Sequence, residues 1–139
     1  MRILGLDLGD KRIGVALSDP LGWTAQGLSV LRSTGARGDI RQIQELVTQH
    51  GVSRVVVGLP LNMDGSAGPR AEKAREFARR LGQALDLPVE LWDERLTTVE
   101  AERLLIQADM RRAGRRQVID KMAAVLILQN YLDAADVGK

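Results

Sequence analysis

The fold is decided by residues 3–9, which read ILGLDLG, together with residues 13–17, which read IGVAL. Two apolar runs joined by a turn at Gly9-Asp10 predict a pair of strands over residues 3–9 and 12–18, with the carboxylate of Asp7 on the first. An unpaired buried charge is costly, so an acid on a central strand calls for a cation. A hard divalent metal ion with oxygen ligands would supply it. The structural alternative for Asp7 is a turn-capping or surface aspartate, and Asp10 is interpreted as a turn residue.

Composition limits the chemistry that the chain can perform. With 139 residues, 45% of them hydrophobic, it is expected to form one domain, residues 1–139, with its own core. The chain has no cysteine and a single histidine, His50, so any metal must be bound by oxygen. We see no signal peptide and no membrane span, because the opening apolar run is short and contains acids. A cytoplasmic protein with no membrane partner is the expectation.

Positive charge is concentrated locally although the formal net charge is only +2. A basic cluster of this kind favours an anionic partner, and phosphate contacts of a nucleic acid fit it best. A merely solvated face is the alternative. Aromatic residues make up 3% of the chain, so base stacking cannot be the main mode of recognition. The candidate nucleic-acid-binding residues are Lys11, Arg12, Arg111, Arg112, Arg115, Arg116 and Lys121.

Periodicity along the rest of the chain predicts alternating helices and strands. Strands are expected around residues 27–31, 55–57 and 88–92, and an irregular loop over 58–66. One helix is expected around residues 40–47, ended by Gly51, and a second around residues 71–85. A third is expected to follow a capping box formed by Thr97 and Glu100, and a fourth to run from about residue 117 to 132. The last helix is apolar nearly all round from Met122 to Leu128 and should be well buried. The order predicts an α/β fold, a mixed sheet with helices on both faces.

Further acids stand where a metal site could be completed. Asp93 and Glu94 follow the strand that ends near residue 92, at the edge where open α/β sheets bind ligands. Side chains alternate along a strand, so one of the pair is expected to face the site, and Arg95 could instead pair with one of them. Asp120 lies near the predicted start of the last helix, where the helix dipole alone could explain it. Acids on a strand, a strand end and the last helix together favour a shared site.

Four sequence blocks then reveal a resemblance. Residues 7–16 (DLGDKRIGVA), 58–66 (GLPLNMDGS), 93–98 (DERLTT) and 120–124 (DKMAA) resemble the YqgF/RuvX family, in that family's order and across nearly the whole chain. The resemblance implies an RNase H-like (RuvC-like) fold with a five-stranded sheet. It also implies a metal-dependent nuclease associated with 5′-end maturation of pre-16S rRNA during ribosome biogenesis. Some members are described instead as Holliday junction resolvases.

By this match the catalytic and metal-binding carboxylates would be Asp7, Glu94 and Asp120, with Asp93 and Asp64 in reserve. Together they could hold two Mg²⁺ or Mn²⁺ ions about 4 Å apart, which clamp the attacking and leaving oxygens of a phosphodiester. One departure matters, because the superfamily's second acid usually stands on the fourth strand. Here that strand ends at residues 57–59, which read VGL, so Glu94 would have to reach across from the next strand.

Several functions remain open at this point. The favoured one is processing of a structured RNA, and the first alternative is a resolvase that cuts branched DNA, usually as a homodimer matched to the symmetry of the junction. A non-catalytic nucleic-acid-binding module is the second. An actin-like ATPase also opens with Asp-x-Gly on a hairpin but needs two lobes, and this length provides one.

Overall fold

The structure, a computed structural model, describes residues 1–96 and 112–137. In these ranges the strands are β1 (Arg2–Leu8), β2 (Arg12–Ser18), β3 (Ala25–Arg32), β4 (Val52–Leu59) and β5 (Val89–Asp93). The helices are α1 (Ala36–His50), α2 (Pro69–Leu85) and α3 (Arg112–Val137), and a short 3-10 helix covers Glu94–Leu96. The helix expected after the Thr97–Glu100 capping box lies outside the described residues.

All five strands form one mixed sheet in the order β3-β2-β1-β4-β5. The hairpins β1–β2 and β2–β3 are antiparallel, whereas β1–β4 and β4–β5 are parallel and are connected through helices, as parallel pairs require. The predicted mixed five-stranded sheet is therefore confirmed. β1 lies at its centre, which explains why its apolar residues occur without alternation.

The sheet is covered on both faces, as the sequence predicted. Leu4 and Leu6 of β1 pack with α1 and α2, through residues such as Ile43 and Leu81. Ile3 belongs to a second cluster, which α3 forms on the opposite face. Alternation along β1 thus divides its side chains between two cores. The odd-numbered residues face α3 and the even-numbered residues face α1 and α2.

Helix α1 ends where the sequence predicted. Gly51 adopts a left-handed conformation with φ 64°, and its N–H bonds to the carbonyl oxygen of Val47. A glycine takes up this conformation without the steric cost that other residues incur. The chain then turns directly into β4.

The last helix differs from its prediction in where it begins. It begins at Arg112 rather than near residue 117, so Asp120 lies in its third turn and a helix dipole at the first turn does not explain this acid. The predicted burial of the apolar stretch from Met122 to Leu128 is confirmed for most of its residues, although Met122 is 37% exposed. The buried stripe consists of Ala123, Ala124, Ile127, Leu128, Tyr131 and Leu132.

Candidate active site

Asp7 is a buried acid on the central strand. Its exposed fraction is 3%, which excludes the surface-aspartate interpretation. Gly5, two residues earlier, lies against α3, since a Cβ atom there would be 2.8 Å from Cβ of Leu128. Asp7 shares this face of the sheet by the alternation of strand side chains. The structure therefore places the carboxylate at the carboxyl end of β1, on the side of the sheet that α3 covers.

Glycines flank Asp7 on the neighbouring strands. Gly14 of β2 pairs directly with Asp7, and Gly58 of β4 follows Val57, whose pairing partner is Leu6. Neither flanking position carries a side chain beside the carboxylate. A glycine inside a strand often marks a place where a ligand or another backbone approaches closely. At Gly58 the close neighbours are Ile127 of α3 and Glu94, whose side chains would meet a Cβ atom there at 2.7 Å and 3.3 Å.

Glu94 reaches across the sheet from the end of β5. It is the first residue of the 3-10 helix, and its Cγ and Cδ atoms each lie 3.3 Å from the position of a Cβ atom on Gly58. Because the fourth strand carries no acid, Glu94 was expected to extend over it from the next strand. Its side chain does lie over β4. The glycine at position 58 makes this placement of Glu94 possible, and the sequence pattern alone did not predict it. A glycine within a buried apolar strand was the available signal.

Asp93 is engaged by Arg95, as the alternative interpretation of this acidic pair predicted. Arg95 donates from Nη2 to Oδ2 of Asp93 at 2.7 Å and from its backbone N–H to Oδ1 at 2.9 Å. The side-chain hydrogen bond from Arg95 is the main reason that the pKa of Asp93 lies below its ordinary value. Asp93 stabilises the turn that presents its neighbour Glu94.

Asp64, the other reserve acid, shapes the loop between β4 and α2. Its Oδ1 accepts hydrogen bonds from Oγ of Ser66 at 2.6 Å and from the Ser66 N–H at 2.9 Å, and the first of these lowers the pKa of Asp64. Arg95 also reaches this loop, donating to the carbonyl oxygen of Met63 at 3.4 Å. Arg95 therefore links the loop to the turn that carries Glu94.

Asp120 belongs to the part of α3 that precedes the buried stripe. It lies one helical turn before Ala124, whose carbonyl oxygen is 3.4 Å from the position of a Cβ atom on Gly5. The backbone of α3 therefore crosses β1 next to the residue two positions before Asp7. The side chain of Asp120 lies outside the described residues. Among the side chains that are described, no three His, Cys, Asp or Glu residues are grouped closely enough to hold a metal.

The described donors are of the kind a hard cation prefers. Asp7 and Glu94 offer carboxylate oxygens on one face of the sheet, and Mg²⁺ and Mn²⁺ select such ligands. The glycine at position 58 is what lets the side chain of Glu94 lie over β4, since a Cβ atom there would be 3.3 Å from its Cδ atom. Two of the three predicted ligands are thus brought to the same face, and their chemistry fits a divalent metal.

The predicted basic residues whose side chains are described belong to two parts of the fold, the β1–β2 turn and α3. Lys11 and Arg12 form the β1–β2 turn, which a hydrogen bond from Gly9 N–H to the Arg12 carbonyl closes at 2.8 Å. Lys121 packs its methylene groups across Gly27 of β3, with Cδ 3.4 Å from the position of a Cβ atom there. The side chains of Arg111, Arg112, Arg115 and Arg116 lie outside the described residues, although the last three belong to α3.

No helix in residues 1–96 or 112–137 has both the length and the apolarity that a bilayer crossing demands.

Comparison with known proteins adds three findings. A family model described as "RuvX: Holliday junction resolvase" matches residues 1–134. A protein of Pelotomaculum thermopropionicum named "Putative pre-16S rRNA nuclease" is 69% identical over 135 residues, covering 96% of this chain and 88% of that protein. A protein of Syntrophomonas wolfei with the same name is 55% identical over 139 residues, covering 100% of this chain and 99% of that one.

A solved structure shares the fold. Thermus thermophilus RuvC in complex with a Holliday junction substrate superimposes with a TM-score of 0.66, covering 100% of this chain and 97% of that one. The two sequences are 15% identical, so this likeness concerns the fold. It agrees with the RNase H-like architecture expected from the sequence.

Proposed function

This chain belongs to the RuvX family, a family of phosphodiester-cleaving enzymes, and we propose that it is a metal-dependent nuclease that processes the 5′ end of pre-16S rRNA. Residues 1–139 act as a single nuclease domain. Because ribosomes are assembled in the cytoplasm, we propose that the enzyme acts there. The choice of RNA as substrate rests on the names of relatives that are 69% and 55% identical.

The observation that carries the proposal is the placement of two carboxylates on one glycine-lined face of the sheet. Asp7 is buried at the centre, and Glu94 extends over Gly58 of the adjacent strand. Asp120, in the helix that crosses this face, completes the proposed set. Carboxylates gathered from separate elements repel one another unless a cation is shared between them.

The chain's own residues divide the chemical work. Asp7, Glu94 and Asp120 would hold Mg²⁺ or Mn²⁺, which when bound activates a water molecule and stabilises charge on the phosphate and the leaving oxygen. Burial of Asp7 keeps bulk water away from its carboxylate, and the 3-10 turn fixes the backbone of Glu94. Products with 5′-phosphate and 3′-hydroxyl ends are expected.

Binding is assigned to the basic residues. Lys11, Arg12 and Lys121, with the arginines at positions 111, 112, 115 and 116, contact phosphates of the substrate. Recognition then depends on shape and backbone charge, and affinity falls steeply as salt rises.

A second candidate function follows from the family's description as Holliday junction resolvases. A resolvase makes two symmetric cuts, and a homodimer with two-fold symmetry matches that geometry. The same carboxylates would serve either substrate, so the substrate must be determined by experiment.

The test is a cleavage assay with Mg²⁺ or Mn²⁺ on two labelled substrates, a pre-16S rRNA 5′ leader and a four-way DNA junction. Asp7→Asn and Glu94→Gln are expected to abolish cleavage of the RNA while binding persists. Asp86→Asn is the matched control, because residue 86 lies at the far end of α2, in a left-handed conformation that asparagine tolerates.

Each outcome of this assay has a distinct meaning. RNA cleavage that is lost on metal removal and in Asp7→Asn supports the proposal. Paired symmetric nicks in the junction, with the RNA left intact, replace it with the resolvase function. Binding of either substrate without cleavage by the wild-type protein contradicts both and supports a non-catalytic module.

A further inference from the structure

A cavity of about 270 Å³ lies on the face of the sheet opposite to Asp7. Leu8, Ile13 and Phe77 form its apolar floor, and all three pack in the core beneath α1 and α2. Its walls come from the first turn of α1, at Ala36, and from α2, at Ala74. The cavity opens beside the β1–β2 turn, and the proposed active site does not use it.

The rim of this cavity is cationic. Arg70, Lys73 and Arg80 line it and are all exposed. Within the described part of the chain, neither Arg70 nor Lys73 forms an ion pair within 4.0 Å.

The acids around the cavity are mostly engaged elsewhere. Glu76 accepts two hydrogen bonds from Arg79, and Asp39 accepts hydrogen bonds from Oγ of Ser33 at 2.6 Å and from the N–H of Thr34 at 2.9 Å. Asp10, at the turn, is the remaining acid of the lining. Among the lining residues, Arg70, Lys73 and Arg80 therefore stand as three cations against Asp10 and Asp39, two acids whose charge no ion pair in the described residues cancels, and the balance is positive.

An apolar floor beneath a positive rim matches a flat ring that carries a phosphate. The volume lies just under the roughly 300–1,000 Å³ of pockets that hold drug-sized ligands, so it suits one ring system. A nucleotide combines these two features, with its base on the floor and its phosphate at the rim. Single strands are commonly bound through positive grooves combined with contacts to base faces.

We propose that this cavity binds one unpaired nucleotide of the same RNA strand whose backbone lies at Asp7, which would define the substrate as single-stranded next to the cut. The identity of the strand rests on the proposed function. Asp7 and Leu8 are adjacent and point to opposite faces of the sheet, so the active site and the cavity meet at the carboxyl end of β1. Gly9 has no side chain to block a strand that passes around this edge.

The experiment measures binding without cleavage. Asp7→Asn protein, free of divalent metal, is titrated with a single-stranded RNA from the 5′ leader in which one abasic nucleotide is moved along the sequence. One abasic position is expected to weaken binding about tenfold, within the range for loss of one stacked base. Adding Ala36→Trp, which fills the cavity, is expected to weaken binding of the intact RNA and to make that abasic position neutral.

A second variant tests the rim independently. Arg70→Gln with Lys73→Gln should weaken binding and reduce the salt dependence by roughly 1.4 in the logarithmic slope, as expected for two lost contacts to a single strand. The matched control is Arg41→Gln with Arg75→Gln, which removes two exposed charges from α1 and α2 outside the cavity and should leave the affinity within about twofold.

The outcomes separate this inference from the proposed function. If no abasic position weakens binding, the proposed nucleotide site is wrong, even if the wild-type enzyme cleaves RNA. The same conclusion follows if an abasic position weakens binding equally with and without Ala36→Trp. A mononucleotide that alters cleavage without competing with the RNA also overturns it, since the cavity would then be an effector site. If binding follows the expected pattern but the wild-type protein cuts nothing, the cavity stands and the nuclease function fails.

Discussion

Glu94 lies directly over Gly58, with its Cδ atom 3.3 Å from the position that a Cβ atom on residue 58 would occupy. The same position lies 2.7 Å from Cδ1 of Ile127, a fully buried residue of α3. Gly58 is therefore the point where a strand, the last helix and the proposed catalytic glutamate come together. Its missing side chain leaves room for the side chain of Glu94 to extend from the end of β5 over β4.

Substitution of Gly58 by alanine is expected to reduce cleavage at least tenfold. The new methyl group must displace Ile127 or Glu94, and movement of either changes the face that holds the proposed metal ligands. Overpacking of a filled core costs roughly 1–3 kcal/mol. Cleavage rates at saturating metal, measured beside the free energy of unfolding in denaturant, check this prediction.

Gly82→Ala is the control for the Gly58 variant. A Cβ atom at this position in α2 would meet no neighbour nearer than 3.6 Å, and alanine favours a helix over glycine by roughly 0.5–1 kcal/mol. We expect full activity and equal or greater stability. A Gly58→Ala protein that cleaves as fast as Gly82→Ala would contradict the assignment of Glu94 to the site.

Arg95 is expected to act by positioning Glu94 and the loop that contains Asp64. Arg95→Met removes the side-chain contacts to Asp93 and to the Met63 carbonyl and leaves only the backbone hydrogen bond, so the turn after β5 loses most of its support. Cleavage should fall severalfold, mainly through kcat. Arg95→Lys should recover little, since an ammonium group cannot reproduce the planar paired hydrogen bonds of arginine. Steady-state kinetics of both variants provides the measurement.

The Asp93–Arg95 pair also predicts a pH effect on stability. The arginine lowers the pKa of Asp93 below 3.8, so the folded protein binds the proton less readily than the unfolded chain. The stabilisation is therefore present above pH 3.8 and is lost as the pH falls through the lower folded-state pKa. Its size is small because the pair is partly exposed. In acid, Arg95→Met should lose less stability than the wild type as the pH falls, whereas equal losses would contradict the pairing.

Tyr131 should ionise above its ordinary pKa of 10.0. Burial is the main cause, with a hydrogen bond to Glu90 adding to it, while the guanidinium of Arg54, which donates to the tyrosine oxygen at 2.9 Å, acts in the opposite direction. A raised folded-state pKa means that this contribution to stability is complete below pH 10 and is lost as the pH rises through the folded value. Tyr131 is the chain's single tyrosine, so ultraviolet absorbance of tyrosinate reports its titration directly.

Two variants test the causes of the Tyr131 shift. Glu90→Gln should lower the pKa of Tyr131, and Arg54→Met should raise it further. A titration centred at or below pH 10 in the folded wild-type protein would show that this tyrosine of α3 is not buried beside Arg54 and Glu90.

The elements that could be predicted from sequence are those whose signals are local. The apolar runs of β1 and β2, the turn at Gly9 and the end of α1 at Gly51 each depend on neighbouring residues, and all are confirmed. The start of α3 was missed because its arginines and a glycine, Gly114, indicate a polar loop. Arginine is nevertheless a good helix former, and one glycine costs only about 1 kcal/mol.

The candidate site was predictable in its residue types and less so in its geometry. The resemblance pointed to Glu94, but the contact between Glu94 and Gly58 depends on the parallel pairing of β4 with β5, whose register pairs Leu59 with Asp93. The cavity beneath α1 and α2 left no trace in sequence, because Leu8 and Phe77 look like ordinary core residues there.

The packing of α3 on β1 gives the last prediction. A Cβ atom on Gly5 would lie 2.8 Å from Cβ of Leu128 and 3.4 Å from the carbonyl oxygen of Ala124. Neither atom can swing aside, so Gly5→Ala must push the helix away, at a cost of roughly 1–3 kcal/mol of unfolding free energy. Denaturant unfolding measures that loss, and the cost should shrink in a Leu128→Gly background, as a double-mutant cycle would detect. An unchanged unfolding midpoint in Gly5→Ala would contradict this contact. Because Asp120 belongs to the same helix, displacement of α3 in Gly5→Ala should also slow cleavage. The decrease in rate should exceed what the smaller fraction of folded protein accounts for.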